Sequence, residues 1–164
     1  MNVTARSEQS PRVIVGVDGS PQSKQALRWA AQFAATSGAR LIAVAAWDYP
    51  TTYVWNAWPQ DWDPARDAQK ALEGTVDEVF AAHRPSDLEL IVRQGTAAGV
   101  LLDECEAAQM LVVGSRGHGG FAGLLLGSVS AKVAEHANCP VLVVHGENPP
   151  PVAGSLSSDP AARS

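Results

Sequence analysis

Apolar residues fall along this chain in two alternating rhythms, one of extended runs and one of helical period. Val13-Ile14-Val15-Gly16-Val17 is a continuous, mostly β-branched run, the pattern of a strand covered on both faces. It stops at Asp18-Gly19, after which Ser20 and Pro21 supply an N-cap and a preorganised first helical turn. Leu27, Ala30, Ala31 and Ala34 then recur on one helical face, and Gly38 is placed to end that helix in the left-handed conformation. Leu41 to Ala46 predicts a second strand. From about Ala65 to His83 the positions Leu72, Val76, Val79, Phe80 and His83 share a helical face, and Pro85 follows. Leu88, Leu90 and Val92 alternate with Glu89, Ile91 and Arg93, as in an edge strand with one face less buried, ending near Gly95. Thr96 can cap a third helix through about Ala107; Met110 to Val113 reads as strand four, Ser128 to about Ala137 as helix four, and Val141 to Val144 as strand five. The order βαβαβαβαβ, with no internal repeat, predicts a parallel sheet wrapped by helices.

Two kinds of segment escape these rhythms. Residues 1–11 and 147–164 are polar or rich in Pro, Ser and Ala and are expected to be disordered tails around a domain at 12–146. The stretch Trp47 to Pro64 holds four Trp, two Tyr and three Pro without a period, which predicts a long connection. Trp55, Trp58 and Trp62 can pack on the sheet edge, cover a ligand or meet a partner.

Composition narrows the function classes. The 164 residues are 46% hydrophobic, enough for one core without metal or disulfide staples. A net charge of −5 argues against a nucleic-acid partner, which calls for a basic footprint. No apolar run approaches a membrane span and the N-terminus lacks an apolar leader core, so no membrane association and a cytoplasmic location are expected. Cys105 and Cys139 have no metal or redox spacing and read as small buried apolar residues.

The chemistry concentrates after strand four. Six glycines occur in the fourteen residues from Gly114 to Gly127. Glycine permits positive φ and close approach to the main chain, so converging N–H groups can cradle a phosphate. The start of helix four adds free N–H groups and a positive dipole end, Ser128 and Ser130 add hydroxyl donors, and Arg116 and His118 add charge or hydrogen bonds. In open parallel sheets ligands bind beyond the carboxyl ends, where strand order reverses. With the spatial order 3-2-1-4-5, Asp18 falls beside the glycine segment, where it can meet ribose hydroxyls, help hold Mg²⁺ or simply stabilise its own turn. No G-x-x-x-x-G-K-[ST] is present. Gly117 to Ala122 matches a loose G-x-G-x-x-A but follows the wrong strand for a dinucleotide fingerprint.

Gly114, Gly117, Gly127 and Ser128 reproduce the spacing Gly, two residues, Gly, nine residues, Gly-Ser. With V-I-V-G-V-D-G-S at 13–20 and C-P-V-L-V-V at 139–144, the chain resembles the ATP-binding class of the universal stress protein family over about residues 12–146. The resemblance implies an α/β fold with an open five-stranded parallel sheet in order 3-2-1-4-5 and helices on both faces, Rossmann-like and similar to the adenine nucleotide alpha-hydrolases. It further implies ATP, with Mg²⁺ accompanying it, and a homodimer through Val141, Leu142, Val143 and Val144. Asp18 would meet ribose, phosphates or Mg²⁺, Val44 and Ala45 would meet adenine, and Gly114, Arg116, Gly117, His118, Gly119, Gly127, Ser128, Val129 and Ser130 would hold the phosphates. Members without nucleotide binding lack the glycine motif. The Trp-rich stretch has no assigned role in the family pattern. No catalytic constellation is evident, so a nucleotide-dependent regulatory module is expected. Open alternatives are slow hydrolysis, self-phosphorylation on Ser128 or Ser130, or a nucleotide-free interaction module. A receiver-type phosphoacceptor at Asp18 would need further acids at the strand ends, which the sequence does not supply.

Overall fold

The structure is a computed structural model and describes residues 10–49, 61–118, 123, 125–146 and 149–151. The extended runs become five parallel strands in the spatial order β3-β2-β1-β4-β5: β1 (Arg12–Gly16), β2 (Arg40–Trp47), β3 (Glu89–Gln94), β4 (Met110–Gly114) and β5 (Val141–Val144). Ile14 of β1 stands in register with Ile42 of β2 and Leu111 of β4. Successive side chains of a strand point to opposite faces, so Val13 and Val15 enter one core while Ile14 enters the other. That division is the reason β1 is apolar throughout. α1 (Pro21–Ser37) and α2 (Pro64–Phe80) cover the first face through Leu27, Ala30, Leu72 and Val76; α3 (Ala97–Glu104) and α4 (Ser128–His136) cover the second through Leu101 and Val133.

Local chemistry sets the helix ends. Ser20 caps α1 by accepting the Ser23 N–H at 3.2 Å, with Pro21 in the first turn. Gly38 closes that helix at φ 66°, an angle that only glycine adopts without strain. Thr96 caps α3 through the Gly99 N–H. At α2, Asp63 accepts the Arg66 N–H and Pro64 opens the helix, one residue before the expected start.

Three expectations need correction. The α-helical part of α2 stops at Phe80 because Ala81 takes φ 46°, and residues Ala81–His83 form a 3-10 turn. The changed period carries His83 off the apolar face, and it is exposed. α3 ends at Glu104, three residues early, and Ala107 is at φ 59°. Cys105 is buried, but Cys139, in the turn before β5, is only partly covered. Burial and the neighbouring Cys105 push the Cys139 thiol up to about 11, which disfavours the thiolate. The tail expectations for residues 1–9, 147, 148 and 152–164 lie outside the described residues. No helix among the described residues is long and apolar enough to cross a membrane.

Candidate functional site

The carboxyl ends of β1, β2 and β4 open onto a cavity of about 420 Å³, within the roughly 300–1,000 Å³ typical of small-ligand pockets. Gly16, Val17 and Asp18 line it at the end of β1, Val44, Ala45 and Ala46 on β2, and Val113 and Gly114 on β4. Arg116, Gly117 and His118 continue from β4, and Leu126 to Ser130 enter at the start of α4. The cavity thus spans the β1–β4 junction, where the direction of strand progression reverses. Every described residue expected to hold the nucleotide is brought here: Asp18, Val44, Ala45, Gly114, Arg116, Gly117, His118, Gly127, Ser128, Val129 and Ser130. Gly119 lies outside the described residues.

Ser115 joins the pieces. Its N–H donates to Val144 at 2.8 Å, and its carbonyl accepts the Gly127 N–H at 2.7 Å and the Ser130 hydroxyl at 2.9 Å. The first turn of α4 is therefore pinned to the end of β4. No side chain caps α4, so its first-turn amides keep the unpartnered character of any helix start. Ser130 is buried with its hydroxyl directed at the carbonyls of Ser115 and Gly127, whereas Ser128 is exposed. Of the two expected hydroxyl donors, Ser128 is the one not committed to these carbonyls.

The motif glycines serve purposes that the sequence reading missed. Gly114, Gly117 and Gly127 all lack positive φ, which among the described residues of this segment occurs at Gly123, φ 107°. A Cβ at Gly114 would stand 2.8 Å from the Gln22 carbonyl carbon, so that glycine exists to let α1 approach β4. A Cβ at Gly117 would overlap the Asp18 carboxylate. At Gly127 the nearest atom would be Ser115 O at 3.4 Å, an ordinary contact.

Asp18 bridges two backbone segments. Its Oδ1 accepts the Ser20 N–H at 2.9 Å and its Oδ2 accepts the His118 N–H at 3.1 Å. Burial raises its pKa, but the hydroxyl and N–H of Ser20, the Ser23 hydroxyl and the His118 N–H outweigh that and hold it below the ordinary aspartate value. Two backbone N–H donors occupy about half of the roughly four lone-pair sites of a carboxylate. Asp18 is also the only carboxylate among the described lining residues. One carboxylate beside a phosphate site is a usual donor set for Mg²⁺ that arrives on a nucleotide, so the expectation of Asp18 as a Mg²⁺ ligand is carried into the proposed function. Among the described residues, no group of three or more His, Cys, Asp or Glu is arranged to hold a metal.

The sequence model of the universal stress protein family matches residues 10–145. The chain belongs to the universal stress protein family. It is 34% identical over 145 residues to a universal stress protein of Mycolicibacterium smegmatis, an alignment covering 83% of this chain and 48% of that protein. It is 37% identical over 147 residues to one of Mycobacterium tuberculosis, covering 87% and 47%. The chain thus spans about half the length of the curated relatives it matches. Among solved structures, a universal stress protein in complex with cAMP is 33% identical, with a TM-score of 0.61 and coverage of 83% of this chain and 97% of that one. A Lactobacillus plantarum universal stress protein, 21% identical with a TM-score of 0.67 and coverage of 82% and 97%, shares the fold.

Two parts of this universal stress protein domain were not anticipated around the cavity. α2 contributes Ala68, Ala71 and Leu72, and α3 contributes Ala97 and Leu101. The small Ala68 and Ala71, three apart on one helical face before Leu72, were the available signal. Beyond Ala46, Trp47 and Tyr49 meet edge to face at 5.4 Å, Tyr49 meets Trp62 at 6.2 Å, and Trp62 Nε1 donates to Asp67 at 3.1 Å. The described part of the Trp-rich stretch is therefore packed at the β2–α2 connection. Trp55 and Trp58 lie outside the described residues.

Proposed function

We propose that this universal stress protein domain binds an adenine nucleotide, ATP foremost, in the β1–β4 cavity and acts as a nucleotide-dependent regulatory module. One observation carries the reading: the residues of the spaced glycine motif and the uncapped first turn of α4 line the same cavity at the strand reversal. Backbone N–H groups at a helix start favour anions. The phosphates are assigned to Gly127, Ser128, Val129 and Ser130, with Arg116, His118 and Gly119 beside them, and the adenine to the β2 end at Val44 and Ala45. Small apolar residues there, with Ala68 and Ala71 opposite in sequence on α2, leave room for a flat base. Mg²⁺ enters on the phosphates of the nucleotide, with Asp18 as the one carboxylate of the described lining that can meet it. The complex of the 33% identical protein with cAMP supports an adenine nucleotide as the ligand class.

Titration calorimetry of the purified chain with ATP and Mg²⁺, with ATP and a chelator, and with cAMP tests this directly. Micromolar-range binding of at least one of these ligands is expected, and heat-silent titrations with all three would overturn the proposal. The same proposal includes a homodimer through β5. Val141, Leu142 and Val143 are only partly covered in one chain, and β5 ends the sheet, an edge that a second copy would pair. Sedimentation velocity at micromolar concentration should give the mass of two chains; a single-chain mass would sink the dimer.

A further inference from the structure

We infer that Asp18 is a positioning residue that clasps the backbone after β4 to the turn after β1, and that Gly117 is glycine to admit this carboxylate. The inference deepens the proposed nucleotide site and rests on that reading for its effect on binding, but the clasp itself belongs to the ligand-free chain. It assigns Asp18 a role in the empty site, apart from any contact with ribose hydroxyls.

The geometry is that of a bridge. One carboxylate oxygen accepts the Ser20 N–H in the turn leading into α1, and the other accepts the His118 N–H, one hundred positions later. The side chain thus fixes the glycine segment against the start of α1. Ionised, a carboxylate only accepts hydrogen bonds, so Asp18 cannot bond an unprotonated phosphate oxygen; it can order the backbone donors that do. Gly19, at φ 80°, turns the chain so that Asp18 and Ser20 share this contact.

Gly117 completes the argument. A Cβ there would collide with Asp18 Oδ2, with the carboxyl carbon at 3.5 Å, and among the described residues no other atom outside the chain neighbours lies within 4 Å. Among the described residues a methyl group at 117 therefore has one side chain to hit. The available relief is rotation of the Asp18 carboxylate off the His118 N–H, which undoes the clasp. Gly117→Ala and Asp18→Ala thus remove the same bond by two routes, and their effects cannot add. If Gly117 were glycine for the approach of a phosphate, its substitution would leave the empty protein untouched and would weaken binding whatever stood at 18.

The test is a double-mutant cycle on the ligand-free chain, comparing melting temperatures of the wild type, Asp18→Ala, Gly117→Ala and the double variant. Each single variant should melt lower, and the double variant should melt with Asp18→Ala. Additive losses, or a Gly117→Ala protein that melts like the wild type, would overturn the inference. Amide exchange at His118 gives a second reading at the bond itself: slow in the wild type, fast in both single variants, with equal rates in wild type and Asp18→Ala counting against the clasp. With ATP and Mg²⁺, all three variants should bind about tenfold more weakly, by the same factor, as expected for one lost bond to a charged group. If the wild type binds no nucleotide, the proposed function fails while the ligand-free cycle still decides the clasp.

Discussion

Ile14→Ala should lower the stability of the fold by about 2–5 kcal/mol, read as a shift in the midpoint of denaturant unfolding. Ile14 is fully buried in the middle strand, in register with Ile42 and Leu111 on its two neighbours, and reaches the core beneath α3 and α4. Truncation leaves a void bounded by two strands that are themselves packed on both sides, so collapse around it is limited. For a chain of this size each kcal/mol moves the melting temperature by about 2–4 °C, which places the variant roughly 5–20 °C below the wild type. Leu125→Ala is the control, because Leu125 is 83% exposed and its loss should stay within about 0.5 kcal/mol. A small effect at Ile14 would mean that the two cores are not divided by β1 as described.

How far the sequence discloses this molecule depends on the range of the interaction concerned. β1 and β4 were legible because burial on both faces demands unbroken runs such as Val13-Ile14-Val15, and the caps Ser20, Gly38 and Thr96 act within three or four residues of themselves. The ends of α2 and α3 were not legible, since Ala81 and Ala107 carry no signature for the positive φ they adopt. The candidate site was legible in location and membership, from glycine spacing and strand ends. Its internal logic was hidden by distance along the chain. Gly114 is set by Gln22 on α1 and Gly117 by Asp18 after β1, and nothing local in a glycine distinguishes room for a helix from room for a ligand. Ser115 was passed over for a similar reason: its importance lies in its main chain, which ties β5 and α4 together.

Gly114 and Gly127 belong to one motif, yet alanine should act on them in opposite ways. At Gly114 the new methyl would stand 2.8 Å from the carbonyl carbon of Gln22 and 3.0 Å from its oxygen. Backbone inside α1 cannot swing aside, so the helix must shift off β4, at an expected loss of about 1–3 kcal/mol. At Gly127 the backbone lies at φ −72° and ψ 168°, open to any residue, and the methyl would meet only ordinary contacts from 3.4 Å outward. Alanine is a poorer N-cap than glycine, which limits the loss there to about 1 kcal/mol or less. Under the proposed function the Gly127 methyl stands at the first turn of α4, the turn to which the phosphates are assigned. ATP affinity should therefore fall at least about tenfold, the equivalent of 1.4 kcal/mol, in a protein that melts nearly as the wild type does. Melting curves and calorimetric titrations of both variants check the pair. A Gly127→Ala protein that keeps wild-type affinity would place the phosphates away from α4.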